Sequence, residues 1–114
     1  TNMIVGKSVH SLSNAIFQSQ NGSDYIILGT IFPTSSKPGT NTLGLSMVTE
    51  ISSRVTCPLL AIGGINPTNA RSTISAGADG VAVISSILTD SNPEEAARTL
   101  KTSIVEAWQA QRGV

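Results

Sequence analysis

Short apolar runs separated by polar stretches recur along the chain and predict four strands. Three runs are too short and too rich in β-branched residues for helices, and each ends at Gly or Ser: residues 25–28, 59–62 and 81–84. Such runs are typical of buried parallel strands. A less regular run, residues 3–5 with an extension to residue 9, ends near His10 and predicts the remaining strand.

Helix signals fill the intervals between these strands. Ser11 or Ser13 caps the first helix, which closes near Asn21–Gly22. Asn66–Pro67 and Asn92–Pro93 begin two others, because asparagine caps a helix and proline suits its first position. The predicted apolar faces are Leu12, Ala15 and Ile16; Leu45, Val48 and Ile51; Ala70 and Ile74; and Ala97, Leu100, Ile104 and Trp108.

The resulting order, βαβαβαβα, requires a parallel sheet with its crossover helices on the outside. Residues 21–24 (Asn-Gly-Ser-Asp) and 76–79 (Ala-Gly-Ala-Asp) each follow a helix and precede a strand, which indicates two copies of a βαβα unit. A helix-ending glycine and a turn aspartate also explain each string locally. Four βα units are half of a TIM (β/α)8 barrel, which needs roughly 250 residues. The alternative is a self-contained α/β layer whose inner face another subunit covers.

Composition narrows the class of protein. The chain has 114 residues, 39% of them hydrophobic, with no run long enough to cross a membrane. Seven basic residues balance seven acidic ones without a charged block, so neither nucleic acid nor a membrane is an expected partner. The single cysteine, Cys57, favours a cytoplasmic setting. Because Thr1 leads directly into a strand-like run, we expect a piece of a longer protein.

The candidate chemistry lies just after the strands, because active sites of parallel barrels lie at the carboxyl ends of the strands. The second strand is followed by a long loop with three neighbouring hydroxyls, Thr34, Ser35 and Ser36, and then Lys37. Hydroxyl donors and a lysine charge together suit a phosphate. The alternative is a solvated loop with an incidental lysine.

Two further strand ends also favour an anion. Gly63–Gly64 stands between a strand and the helix start at Asn66–Pro67, where backbone N–H groups are available, and Ser85 follows the last strand. We therefore predict a phosphate between Gly64 and Ser85, with tight strand-to-helix packing as the other explanation of the glycines.

His10, the only histidine, ends the first strand. A general acid or base would stand there, although a partly exposed histidine that helps to cap the helix fits as well. No spacing of metal ligands occurs in the chain.

Several strings resemble the C-terminal half of the thiamine-phosphate synthase and TenI superfamily over essentially the whole chain. They are Gly6-x-Ser8-x-His10-Ser11, residues 29–39 (Gly-Thr-Ile-Phe-Pro-Thr-x-Ser-Lys-Pro-Gly), 43–45 (Leu-Gly-Leu), 61–65 (Ala-Ile-Gly-Gly-Ile) and 76–83 (Ala-Gly-Ala-Asp-Gly-Val-Ala-Val). The resemblance implies that residues 1–114 are strands 5 to 8 of a (β/α)8 barrel, without its N-terminal half. That half, or a second copy, is the expected partner.

The resemblance also implies a reaction, in which the synthase couples hydroxymethylpyrimidine diphosphate to thiazole phosphate and releases diphosphate with Mg²⁺. Ser8 and Lys37 would then contact the pyrimidine diphosphate, and Thr34, Ser35 and Ser36 the thiazole phosphate. Gly64, Ile84 and Ser85 would hold the phosphate of the thiazole. The magnesium ligands of the family belong to the N-terminal half, outside this chain.

Three other functions stay open from the sequence. TenI-type thiazole tautomerases resemble this chain equally, and there His10 would carry protons with no metal. An inactive half-barrel that binds phosphate or self-associates is a second possibility. A sugar-phosphate isomerase on a related barrel is a third.

Overall fold

The computed structural model describes residues 3–33, 41–83 and 91–112. Within these ranges the strands β1 to β4 form one sheet in that order, and every neighbouring pair is parallel. Each strand precedes a helix, which confirms the predicted βαβαβαβα order. The elements are β1 Gly6–Val9, α1 Leu12–Gln20, β2 Tyr25–Leu28, α2 Gly44–Ser52, β3 Leu59–Ile62, α3 Ala70–Ser75, β4 Gly80–Ala82 and α4 Pro93–Arg112.

Residues adjacent in sequence account for the starts of two helices, α1 and α4. The Ser11 hydroxyl accepts a hydrogen bond from the Asn14 N–H at 3.1 Å and caps α1. The Asn92 side chain accepts one from the Glu95 N–H at 3.2 Å, and Pro93 is the first residue of α4. Both starts are confirmed, because a cap needs only residues that are adjacent in sequence.

The helices cover one face of the sheet. In β2 and β3 alternate residues are buried, and pairing aligns Ile26 with Leu59 and Leu28 with Ala61. These four side chains belong to one apolar cluster with buried residues of the helices, namely Ala15, Val48, Ile51, Ala70, Ile74, Leu100 and Ala107. The core therefore lies between the sheet and a row of helices.

The opposite face, here called the inner face, has no such cover. Its apolar side chains Tyr25, Ile27, Leu60 and Ile62 are only half-buried. Ile27 is aligned with Ser8 on β1 and with Leu60 on β3. Since parallel sheets in α/β proteins are normally covered on both faces, the described part of the chain is a half-barrel.

The first strand starts later than the apolar pattern indicated. Residues 3–5 lie outside β1, with Met3 and Ile4 exposed by 76% and 77%, and only the predicted extension, Gly6–Val9, pairs with β2. The ladder begins there because the backbone of Val5 is already bonded to Asp24, which precedes β2. On the other side of the sheet β4 is Gly80–Ala82, and Ile84 of the predicted strand lies outside the described residues.

The buried side of α4 also differs from the prediction. Ala96, Leu100 and Ala107 are buried, whereas Ala97 is exposed and Trp108 is 39% exposed. Small alanines suit this position because α4 packs closely along α3. Among the described residues no helix has the length and apolar character needed to cross a membrane.

Candidate active site at the carboxyl ends of the strands

The carboxyl ends of the parallel strands meet at one edge of the sheet, and this edge is the candidate active site. His10 follows β1, Gly29 and Thr30 follow β2, and Gly63–Gly64 follows β3. In (β/α)8 barrels the corresponding edge carries the reacting residues. Of the strand-end candidates, His10 and Gly64 therefore lie at one edge, as expected.

His10 is exposed and lies against the neighbouring strand end. Its Nδ1 atom is 2.9 Å from the carbonyl oxygen of Gly29, and the Gly29 N–H donates to the carbonyl of Val9 at 3.4 Å. Ser11, not His10, caps α1. His10 thus bridges two strand ends, which favours a role at this edge over a role in capping.

Ser8 precedes His10 by two residues and projects from the same side of the chain at the end of β1, because successive side chains alternate between the faces of a strand. It is exposed and aligned with Ile27 of the inner face. Ser8 and His10 are therefore positioned together, while the role of Ser8 stays a prediction.

The loop after β2 is anchored to the end of β3. The N–H groups of Ile31 and Phe32 donate to the carbonyls of Ile62 and Gly63 at 3.1 and 3.0 Å. The return of the loop is held in the same place, because the Leu43 N–H donates to the Thr30 carbonyl at 2.8 Å. Both ends of the segment that carries the hydroxyls and lysine are thus fixed beside β3. Thr34, Ser35, Ser36 and Lys37 themselves lie outside the described residues.

Gly64 packs against this loop. Its φ is +68°, and a Cβ atom there would lie 2.7 Å from the carbonyl oxygens of both Phe32 and Pro33. Loop packing by itself therefore requires a glycine at this position. Binding of a phosphate beside Gly64 stays a prediction. The other two residues predicted to hold it, Ile84 and Ser85, lie outside the described residues.

The turn after Gly64 uses two asparagines, of which the sequence pattern indicated only Asn66. The Asn66 side chain accepts from the N–H groups of Thr68 and Asn69 at 2.9 and 3.1 Å. Asn69 in return accepts from the Asn66 N–H at 2.8 Å and donates to the Gly64 carbonyl at 2.9 Å. The spacing Asn-x-x-Asn resembles a capping box and could have revealed this role.

This turn changes the prediction for the third helix. The helix starts at Ala70 rather than at Asn66–Pro67, because residues 67–69 form turns closed by the Asn66 side chain. The N–H groups of Thr68 and Asn69 are consequently occupied and are not available to an anion, contrary to the expectation for this helix start. An anion at this edge would need donors from other residues.

The amino ends of the strands carry a different feature. A depression of about 410 Å³ is lined there by Ser52, Val55, Thr56, Cys57, Pro58, Leu59, Gly77, Asp79 and Gln111. Asp79 accepts a hydrogen bond from the Leu59 N–H at 2.8 Å, and Cys57 packs at the margin of the core as a free thiol. These contacts are structural, and this end lies opposite the candidate active site.

The described residues contain no group of three or more His, Cys, Asp or Glu side chains placed to hold a metal ion. They do not fit a magnesium site, so a magnesium ion at this edge would need ligands from other residues.

Parallel strands, helices on one face and strand-end loops joined at one edge define half of a (β/α)8-barrel protein. Residues 1–87 match the family model of thiamine monophosphate synthase (TMP-TENI). The chain belongs to this family.

Individual relatives agree with this assignment. Thiamine-phosphate synthase of Pyrococcus furiosus is 38% identical over 92% of this chain, and that of Chlorobium limicola is 46% identical over 85%. The solved thiamine phosphate pyrophosphorylase of Pyrococcus furiosus superposes with a TM-score of 0.83 at 37% identity, covering 93% of this chain and 50% of its own. The chain spans about half the length of the curated relatives it matches, 51% and 47% for the two named here.

Proposed function

We propose that residues 1–114 supply the last four strands of a thiamine-phosphate synthase. The whole enzyme would couple hydroxymethylpyrimidine diphosphate to thiazole phosphate and release diphosphate. The observation that carries this proposal is the 38–46% identity to thiamine-phosphate synthases over 85–92% of the chain. The free thiol of its single cysteine, Cys57, supports a cytoplasmic setting.

In this proposal the loop after β2 handles the charged groups of the substrates. Departure of diphosphate builds negative charge on the leaving group, which a lysine and hydroxyl donors neutralise electrostatically. Lys37 would act on the leaving group together with Ser8, and Thr34, Ser35 and Ser36 would hold the thiazole phosphate. The hydrogen bonds that anchor Ile31, Phe32 and Leu43 beside β3 support this role, because they hold both described ends of the loop at the candidate site.

The rest of this site involves residues outside the described ranges or outside the chain. The phosphate of the thiazole would lie among Gly64, Ile84 and Ser85. Magnesium, which would neutralise charge on the diphosphate, would be held by carboxylates that do not belong to residues 1–114.

The proposed partner is the remaining half of the barrel. The half-buried inner face offers it Ile27, Leu60 and Ile62. Phe17 on α1 is 57% exposed and Val105 on α4 is 41% exposed, so the first and last helices of the row both offer apolar surface. A second copy of this chain is the other occupant we propose for these surfaces.

A TenI-type tautomerase is the second candidate, favoured by the exposed His10 at the strand end and its contact with Gly29. In that reaction His10 would carry protons during aromatisation of the thiazole. Diphosphate takes no part, so Lys37 would be dispensable. If the whole protein catalyses neither coupling nor tautomerisation, the remaining candidate is an inactive half-barrel that binds phosphate.

The test is a pair of variants in the whole protein. We expect Lys37→Ala to lower kcat of coupling about 10²–10³-fold, the usual effect of losing a donor that stabilises developing charge. Lys101→Ala, on the exposed surface of α4, is the control for loss of a positive charge and should leave coupling unchanged.

The tautomerase makes the opposite demand. His10→Ala would lower tautomerisation roughly 10²–10⁴-fold, and Lys37→Ala would leave it unchanged. If Lys37→Ala keeps full coupling activity and His10→Ala loses tautomerisation, the proposed function would be the tautomerase and not the synthase.

A further inference from the structure

His10 makes one contact that determines the position of its ring proton. A carbonyl oxygen only accepts hydrogen bonds, so the 2.9 Å contact between Nδ1 and the Gly29 oxygen requires the hydrogen to be on Nδ1. A neutral imidazole side chain has one hydrogen on its two ring nitrogens, so a hydrogen on Nδ1 leaves Nε2 with a lone pair. Among the described residues none forms a hydrogen bond with Nε2.

The acceptor is held rigidly by backbone contacts on both sides. The Gly29 N–H donates to the Val9 carbonyl at 3.4 Å, and the Ile31 N–H donates to the Ile62 carbonyl at 3.1 Å. Gly29 is buried, and a Cβ atom on it would lie 2.5 Å from Cγ2 of Ile62. The peptide units before and after the Gly29 carbonyl are therefore bonded to the strands on either side of β2, which restricts rotation of this carbonyl away from His10.

We propose that the Gly29 carbonyl is a positioning group that holds neutral His10 in the Nδ1–H tautomer, with Nε2 as the proton-accepting atom. Free imidazole side chains in water favour the Nε2–H tautomer, so the fold would reverse the ordinary preference. The use of Nε2 in catalysis rests on the proposed function, in its tautomerase form, whereas the tautomer itself does not.

The proton balance is simple. Nε2 takes a proton from an acidic C–H or O–H group of the substrate, and the ring becomes an imidazolium. Nδ1–H stays bonded to Gly29 throughout, because Nδ1 donates in both states. When Nε2 returns the proton to another atom of the substrate, the ring is neutral again and the substrate has changed tautomer.

Nitrogen NMR of the ring tests the tautomer directly, since His10 is the only histidine in the chain. The ¹⁵N-labelled chain is measured at a pH high enough for the ring to be fully neutral. The urea-unfolded chain at the same pH is the reference. We expect Nδ1 at the position of a protonated nitrogen and Nε2 at that of an unprotonated one, with the unfolded chain showing the reverse majority. A folded chain with mainly Nε2–H would overturn the proposal whatever the activity of the enzyme.

Two isosteric variants separate the contact from the proton transfer. In His10→Asn the side-chain amide can replace Nδ1 as donor to Gly29, whereas in His10→Gln the amide nitrogen takes the place of Nε2. We expect His10→Asn to keep the parent's urea midpoint and His10→Gln to unfold at lower urea. Equal midpoints in the two variants would contradict a directed Nδ1 contact.

Neither amide transfers a proton, so in the whole protein both variants should lose tautomerisation roughly 10²–10⁴-fold. Tautomerisation retained by both variants, with the Nδ1–H tautomer observed, would refute proton transfer by Nε2 in the tautomerase form of the proposed function but leave the positioning role of Gly29 intact.

Discussion

At the scale of single residues, Gly64 has a role that its sequence context only partly indicated. A glycine pair between a strand and a helix predicted backbone exposed to a ligand. The structure adds a second demand, because φ is +68° and the Phe32 and Pro33 carbonyls occupy the space of a side chain. A bulky substitution would therefore displace Phe32 and Pro33. Loss of binding in such a variant would not locate a phosphate.

Two alanine variants separate backbone strain from this packing. Gly44 has φ +77° with nothing within 4 Å of a Cβ atom, so Gly44→Ala measures strain alone, about 1–2 kcal/mol. Gly64→Ala should lower the free energy of unfolding further, because the methyl group meets two backbone oxygens. Urea unfolding of both variants checks this, and equal losses would show that the loop gives way easily.

At the scale of elements, the repeated strings that end in Asp24 and Asp79 have a shared function. The N–H of Asp24 donates to the Val5 carbonyl at 2.7 Å, and its carboxylate accepts from the Val5 N–H at 2.6 Å. Asp79 forms the same pair of bonds with Leu59, each at 2.8 Å. Each aspartate thereby ties the start of its strand to the preceding strand and helps to set the register.

The two ties should differ in energy because their surroundings differ. Leu59 is 1% exposed, whereas Val5 is 39% exposed, so water replaces the lost partner only at Val5. Asp79→Ala should therefore lower the free energy of unfolding by about 1–3 kcal/mol, and Asp24→Ala by clearly less. Asp79→Asn keeps an acceptor oxygen and should recover most of the loss. Similar losses for the two alanine variants in urea unfolding would contradict this ranking.

At the scale of the whole molecule, the sheet is covered on one face only. Helices bury Ile26, Leu28 and Leu59, while Ile27 and Leu60, which alternate with them, remain half-buried. In addition, β1 and β4 each have a strand neighbour on one side only among the described residues. Open strand edges and a half-covered apolar face both favour association in water.

Association should therefore depend on the inner face. We expect sedimentation at micromolar concentration to show residues 1–114 paired with a second copy, or with the other half of the barrel when that half is added. Ile27→Asp should weaken this pairing, because a carboxylate would be buried at the interface. Ser46→Asp, on the exposed side of α2, is the matched control and should not affect pairing. A monodisperse monomer formed by the parent chain alone, unchanged on addition of the other half, would contradict the proposal.

Much of the fold and part of the site follow from the sequence. The strands at residues 25–28 and 59–62 and the caps at Ser11 and Asn92 agree with the structure. These features depend on neighbours within one helical turn or on one run of apolar residues, so local patterns suffice to predict them. Placement of His10 and Gly64 at one edge also follows, because parallel strands align their carboxyl ends.

The sequence by itself determined the order of strands and helices and the edge at which the candidate site lies. Tertiary structure alone decided the contact of His10 with Gly29, the packing of Gly64 under Phe32, and the burial of Ala96 rather than Ala97. Each of these joins residues brought together by the crossover connections, or depends on the rotation of a helix against its neighbour. No periodicity within a single element encodes such distances, because strand pairing and helix packing fix them only when the sheet has formed.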